Sequence, residues 1–256
     1  MTPLAYWYYA VWIILIMMAI ALPWILYYKK LHVFDVFWGI NIAVGIIALS
    51  VYASVRPLIE LAIPLLLIAA WGARLSLFLL YTRILPSHSD RRYQALSKNA
   101  FYSTILKQGL IQGALQTGLI MTGFPLIVTA PVLPVVWVGG ILVSAIALVL
   151  ESLADWQLHQ HKQTHTGLCQ TGLWRYSRHP NYFFEWVFWM GIGSLYIPHS
   201  SALVALVGPT TLFIVMYFIT GPYTERLSAA KHGKSFELLC QSTPYFFPRR
   251  PKNRAN

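Results

Sequence analysis

The run from Tyr6 to Tyr28 is 23 residues long and carries no charge. As a helix it would rise about 34 Å, enough to cross the roughly 30 Å hydrocarbon core of a bilayer. Runs of this kind recur along the chain, which leaves little sequence for a water-facing fold. Only 11% of the 256 residues are charged, against about 25% in a soluble domain. The pattern predicts an all-α, polytopic membrane protein with about seven transmembrane helices in a single domain, residues 1–256. Residues 5–220 would form the bundle, and residues 221–256 a C-terminal helix and tail.

Spans are expected at Tyr6–Tyr28, Phe34–Ala53, Leu58–Tyr81, Gly109–Val128, Val135–Leu153, Phe183–Ile197 and Ala202–Thr220. The fifth helix is expected to continue to His161. With the N-terminus outside, every Lys and Arg beyond the spans except Arg56 falls on the cytoplasmic side, along with the C-terminus. That is the loop bias of membrane topology. It accounts for the net charge of +11 without a nucleic-acid partner. The first span has no basic stretch before it and no small-residue cleavage site after it, so it is expected to be retained. Cys169 and Cys240 form neither a disulfide framework nor a metal-ligand spacing, and no metal site is expected. The short loops point to a bacterial inner membrane with the polar residues facing the cytoplasm.

Polar chemistry concentrates in the stretch from Gly167 to Val187, where Arg178, His179, Asn181, Tyr182 and Glu185 fall within eight residues. A helix starting near Asn181 sets Asn181 and Glu185 one turn apart on one face. Its start offers free amides and a positive dipole end to an anion. Glu151, Asp155 and His159 share one face of the fifth helix by their i, i+4, i+8 spacing. Charges inside spans are costly and face partners or cavities. This stripe either pairs with Arg175 or Arg178 or forms the polar wall of a cofactor pocket. Asp35 reads as a helix-start residue. Arg74 needs an internal partner, with Asp35 and Glu151 as candidates. Arg91, Arg92 and Tyr93 place two guanidinium forks and a phenol in one loop, a phosphate-binding combination. Glu225 is expected in the first turn of a helix that starts near Tyr223 and ends at Gly233. The tail beyond it reads as an interfacial segment with a loose end.

The block Gly172-Leu-Trp-Arg-Tyr-Ser-Arg-His-Pro-Asn-Tyr182, with Glu185 after it, resembles the C-terminal signature of the steroid 5α-reductase superfamily. Within that superfamily the chain is most similar to its bacterial DUF1295 branch. Asp35 and Trp38, the Trp71-Arg74-Leu75 pattern, the Asp90-Arg92-Tyr93 loop, Glu151 with Asp155, and the segment from Glu225 to Gly233 extend the match over about residues 30 to 250. The Arg-His-Pro block is also similar to that of sterol C14-reductases and, more loosely, of isoprenylcysteine carboxyl methyltransferases. The resemblance implies NADPH bound by Arg83, Arg91, Arg92, Tyr93, Glu151, Asp155, Arg178, His179, Asn181, Tyr182, Glu185 and Glu225. It places Trp38, Trp71 and Arg74 toward a hydrophobic substrate that enters from the lipid bilayer.

Trp71 stands where the steroid reductases carry a proton-donating Tyr. The proton would then come from Asp35, Tyr81 or a bound water. The expected activity is reduction of a carbon–carbon double bond in a steroid- or lipid-like substrate. Two alternatives are an S-adenosylmethionine-dependent methyltransferase of a lipid or lipidated substrate, and a non-catalytic lipid-binding membrane protein.

Overall fold

The computed structural model describes residues 1–28, 30–85, 98–130, 133–197 and 199–250. Asp90, Arg91, Arg92 and Tyr93 lie outside them. The described residues are helical, with no strand among them. α1 is Pro3–Tyr28, α2 is His32–Ala53, and α3 is Leu58–Leu79 continued by a π turn at Leu80–Ile84. α4 runs over Lys98–Ile120 and, through a 3-10 turn, over Phe124–Val128. α5 is Pro134–Thr164 and α6 is Pro180–Ser194. α7 spans Ala202–His232 and α8 is Lys234–Ser242.

Six helices, α1 to α5 and α7, are long and apolar enough to cross a membrane. The remaining expected span is shorter. α6 has 15 residues, a rise of about 22 Å. It still runs from one end of the bundle to the other. At the far end, Arg56 donates to Thr129 O (3.1 Å) and Tyr196 Oη (3.5 Å), and Thr129 meets Ser201 at 2.9 Å. These bonds tie the α2–α3, α4–α5 and α6–α7 connections together. At the near end, α6 starts among the polar residues of α3, α5 and α7.

α6 lies along α5. Their backbones approach at Gly140 and Gly191, where a Cβ on Gly191 would sit 2.9 Å from Gly140 O. Ser144 Oγ donates to Phe188 O (3.1 Å) across the same seam. Small residues allow such an approach, which apolar attraction alone does not drive between helices in lipid.

Three expectations change. α4 starts at Lys98, well before Gly109, because the polar turn that precedes the apolar run is itself helical. Thr104 Oγ1 donates back to Ala100 O (2.7 Å) there. The helix expected to start near Tyr223 is the continuation of α7. Pro222 has no amide hydrogen for the ladder, and a π turn at Val215–Thr220 carries the helix past it. Glu225 therefore sits within a helix and does not cap one. α7 does end at Gly233, which has φ +50°.

Nor is the tail loose through residue 250. Phe246 is buried among Phe183, Phe213 and Tyr217, and Tyr245 Oη donates to Tyr217 O (2.7 Å). Burial pushes the Tyr245 phenol up to about 12, so it remains a donor at neutral pH.

Gly191→Val should force α5 and α6 apart. The expected loss is about 1–3 kcal/mol, as for overpacked cores, read as a lower unfolding midpoint of the detergent-purified protein. An unchanged midpoint would contradict the close seam.

Candidate functional site

Arg74 of α3 points at α5. Its guanidinium pairs with Glu151 and, at 2.6 Å, with Asp155 Oδ2. The other oxygen of Asp155 accepts from Asn181 Nδ2 on α6 at 3.0 Å. The acidic stripe thus pairs with Arg74, not with Arg175 or Arg178. Of the two partners considered for Arg74, Glu151 is the one it reaches, and Asp155 joins it. Glu185 lies one turn beyond Asn181 on α6, buried, and interacts electrostatically with Arg74, Glu151 and Asp155. Trp71 precedes Arg74 by one turn. It is fully buried, stacked on Phe188 (5.9 Å, 13°) and edge-on to Trp189 (4.8 Å, 82°).

A second network forms where the chain enters α6. Arg178 grips Glu225 of α7 with two bonds, Nε to Oε1 at 2.6 Å and Nη2 to Oε2 at 3.2 Å. Its Nη1 donates to the carbonyls of Thr243 (2.8 Å) and Cys240 (3.3 Å), and its amide to Pro244 O (2.9 Å). His179 Nε2 lies 3.3 Å from Glu225 Oε1, with its ring stacked on Tyr182. Ser177 Oγ donates to Phe246 O (2.8 Å). Arg178 therefore joins α6, α7 and the tail, and each of its three guanidinium nitrogens is engaged within the protein. Burial raises the Cys240 thiol, which keeps it from acting as a reactive thiolate.

Between these networks opens a cavity of about 700 Å³, within the range of ligand pockets, roughly 300–1,000 Å³. Asn181 and Tyr182 from the start of α6 line it, as do His161, Lys162 and His165 from α5, Lys231 and His232 from α7, and Arg83 from α3. Glu225 is its one acidic lining residue among the described ones, and Arg178 already neutralises it. Neither Lys162 nor Lys231 has a carboxylate within salt-bridge reach among the described residues. The arrangement suits a polyanion.

Asp35 and Tyr81 lie apart from the Arg74 cluster. Asp35 is held by His32 (3.1 Å), Arg83 (3.0 Å) and Gln112 (3.3 Å), so Arg83 links it to the cavity wall. Tyr81 is 66% exposed, with its ring 6.1 Å from that of His159. Trp38 is half-buried against the main core. Glu151 and Asp155 do not line the cavity. Asp155 acts behind it by fixing Asn181. Lys162, Lys231, His161, His165 and His232 were not read as site residues. The available signal was spacing: Lys162 follows Asp155, and His232 follows Glu225, by seven residues, two turns along the same helix face.

These features define an all-helical integral membrane protein with a basic, ligand-sized cavity at one end of its bundle. The chain belongs to the DUF1295 family, described as a protein of unknown function, whose model matches residues 9–243. No curated protein and no solved structure matches the chain.

Removing Arg178 leaves Glu225 with His179 alone and frees the tail. Arg178→Ala should cost about 2–3 kcal/mol, less than the 3–5 kcal/mol typical of a fully buried pair, because Glu225 is 19% exposed. Trypsin should also cleave sooner after Arg249. Wild-type stability and cleavage rate in this variant would show that the network does not hold the tail.

Proposed function

We propose that this protein is a membrane-embedded reductase that uses NADPH to saturate a carbon–carbon double bond in a steroid- or lipid-like substrate. The observation that carries the reading is the cavity, where Arg83, Lys162 and Lys231 meet one already neutralised acid. NADPH carries a pyrophosphate and a 2′-phosphate, and such groups seek several cations at once. The residues present fit them. Arg83, Lys162 and Lys231 would hold phosphates, while Asn181 and Tyr182 would meet the end of the cofactor nearest the Arg74 cluster. Arg91, Arg92 and Tyr93, outside the described residues, remain proposed phosphate contacts.

When bound, the cofactor supplies a hydride, and the chain supplies position and polarity. Arg178 contributes by fixing the cavity wall through Glu225 and the tail. Arg74 contributes by holding Glu151 and Asp155, and through Asp155 the amide of Asn181. Trp38 and Trp71 lie on the apolar side, where a substrate arriving from the bilayer would approach. The cavity would face the cytoplasm of a bacterial inner membrane, where the cofactor is available. S-adenosylmethionine suits the cavity less well, because its sulfonium would meet cations.

Titration of detergent-purified protein with NADPH, followed by nicotinamide fluorescence, tests the reading. Lys162→Glu and Lys231→Glu should each weaken binding about tenfold or more, equivalent to 1.4 kcal/mol, and S-adenosylmethionine should not compete. Absence of NADPH binding by the folded wild type would overturn it.

A further inference from the structure

The cluster beneath the cavity holds three carboxylates and one guanidinium. Glu151, Asp155 and Glu185 are buried, at 1%, 8% and 8% exposure. Three ionised acids around Arg74 would leave two net negative charges where the dielectric is low. Carboxylates crowded in this way retain a proton among them.

The ion pairs and hydrogen bonds show which acid is left over. Arg74 takes Glu151 and Asp155, and Asn181 takes the second oxygen of Asp155. No cation of the described residues pairs with Glu185. Glu151 Oε2 is buried without a hydrogen-bond partner, so the cluster also holds an acceptor in need of a donor. The groups facing Glu185 are Arg74 from α3, Glu151 and Asp155 from α5, and Tyr182 one turn back on α6. From α7, Glu225 meets the start of α6, where Arg178 and His179 engage it.

Position matters as much as charge. Asn181 lines the cavity, and Glu185 follows it one turn along α6, about 6 Å of rise, toward the layer of Trp71, Phe188 and Trp189. Glu185 thus lies between the cavity and the apolar interior. Asp35 and Tyr81 make no contact with this cluster.

We propose that Glu185 is a carboxylic acid, protonated at neutral pH, that donates the proton of the reduction. The inference rests on the reductase reading above. Its O–H bond breaks as a C–H bond forms at the alkene carbon that does not receive the hydride. Glu185 is left as a carboxylate, and water from the cavity side returns the proton. Trp71, which has no acidic proton to give, needs no chemical role in this scheme.

Infrared spectroscopy of the full chain in detergent and D2O, without nucleotide, reads the proton directly. The wild type should show a protonated-carboxyl band at neutral pD. The band should vanish in Glu185→Gln, shift in Glu185→Asp and persist in Asp35→Asn. Absence of the band in the wild type, or its survival in Glu185→Gln, would overturn the proposal. If Glu185→Gln fails to fold, an unshifted band in Glu185→Asp overturns it equally. The reductase reading fails separately, through lack of NADPH binding, whatever the band shows.

Discussion

The ion cluster of Arg74, Glu151 and Asp155 is the constraint around which the rest of the bundle is arranged. A charge in the hydrocarbon region costs several kcal/mol unless it is paired. Arg74 sits inside α3, and the two acids sit one turn apart on α5, so neither helix can enter a bilayer cheaply without the other. Pairing draws α3 against α5, and Asn181 brings in the start of α6 through the free oxygen of Asp155. Buried ion pairs often add little net stability over apolar packing. What this one supplies is register. It fixes which turn of α5 faces α3, and therefore which residues of α5 line the cavity one to two turns further on.

A second network closes the other side. The fork of Arg178 on Glu225 and on the carbonyls at residues 240 and 243 fastens α6 to α7 and to the tail. The tail in turn seats Phe246 in an aromatic pocket of α6 and α7. These bonds occupy Arg178 and Glu225 internally, so the cations left facing the cavity are those not committed elsewhere. Lys162 and Lys231 belong to that group, and Arg83 shares itself with Asp35. The charges that hold the bundle together and those that face the cavity are thus different groups, although they lie within a few turns of one another.

Much of this was legible in the sequence. Charge-free runs gave the membrane class, and the i, i+4 spacing of Glu151 and Asp155 placed them on one face. Their partner was not decided by spacing, because several arginines were within plausible reach and only the packing of α3 on α5 selects Arg74. A separate helix was expected to start near Tyr223, where a π turn instead carries α7 past Pro222. The aromatic tail read as interfacial because its pocket is assembled from residues more than 25 positions upstream, a long-range fact no local pattern carries. Lys162 and Lys231 looked like ordinary flanking charge, since positive-inside bias and a phosphate site use the same residue types. Arg91 and Arg92 lie outside the described residues.

Thermal stabilisation of the detergent-purified wild type, with NADPH, NADH and S-adenosylmethionine compared at equal concentration, tests the central claim most directly. A ligand at one hundred times its dissociation constant adds about 2.7 kcal/mol, a shift that is readily measured. Stabilisation by NADPH that exceeds that by NADH, with none from S-adenosylmethionine, is the result expected if the cavity cations receive the 2′-phosphate as proposed. Stabilisation by S-adenosylmethionine alone would contradict the account and place a methyl donor among these residues instead.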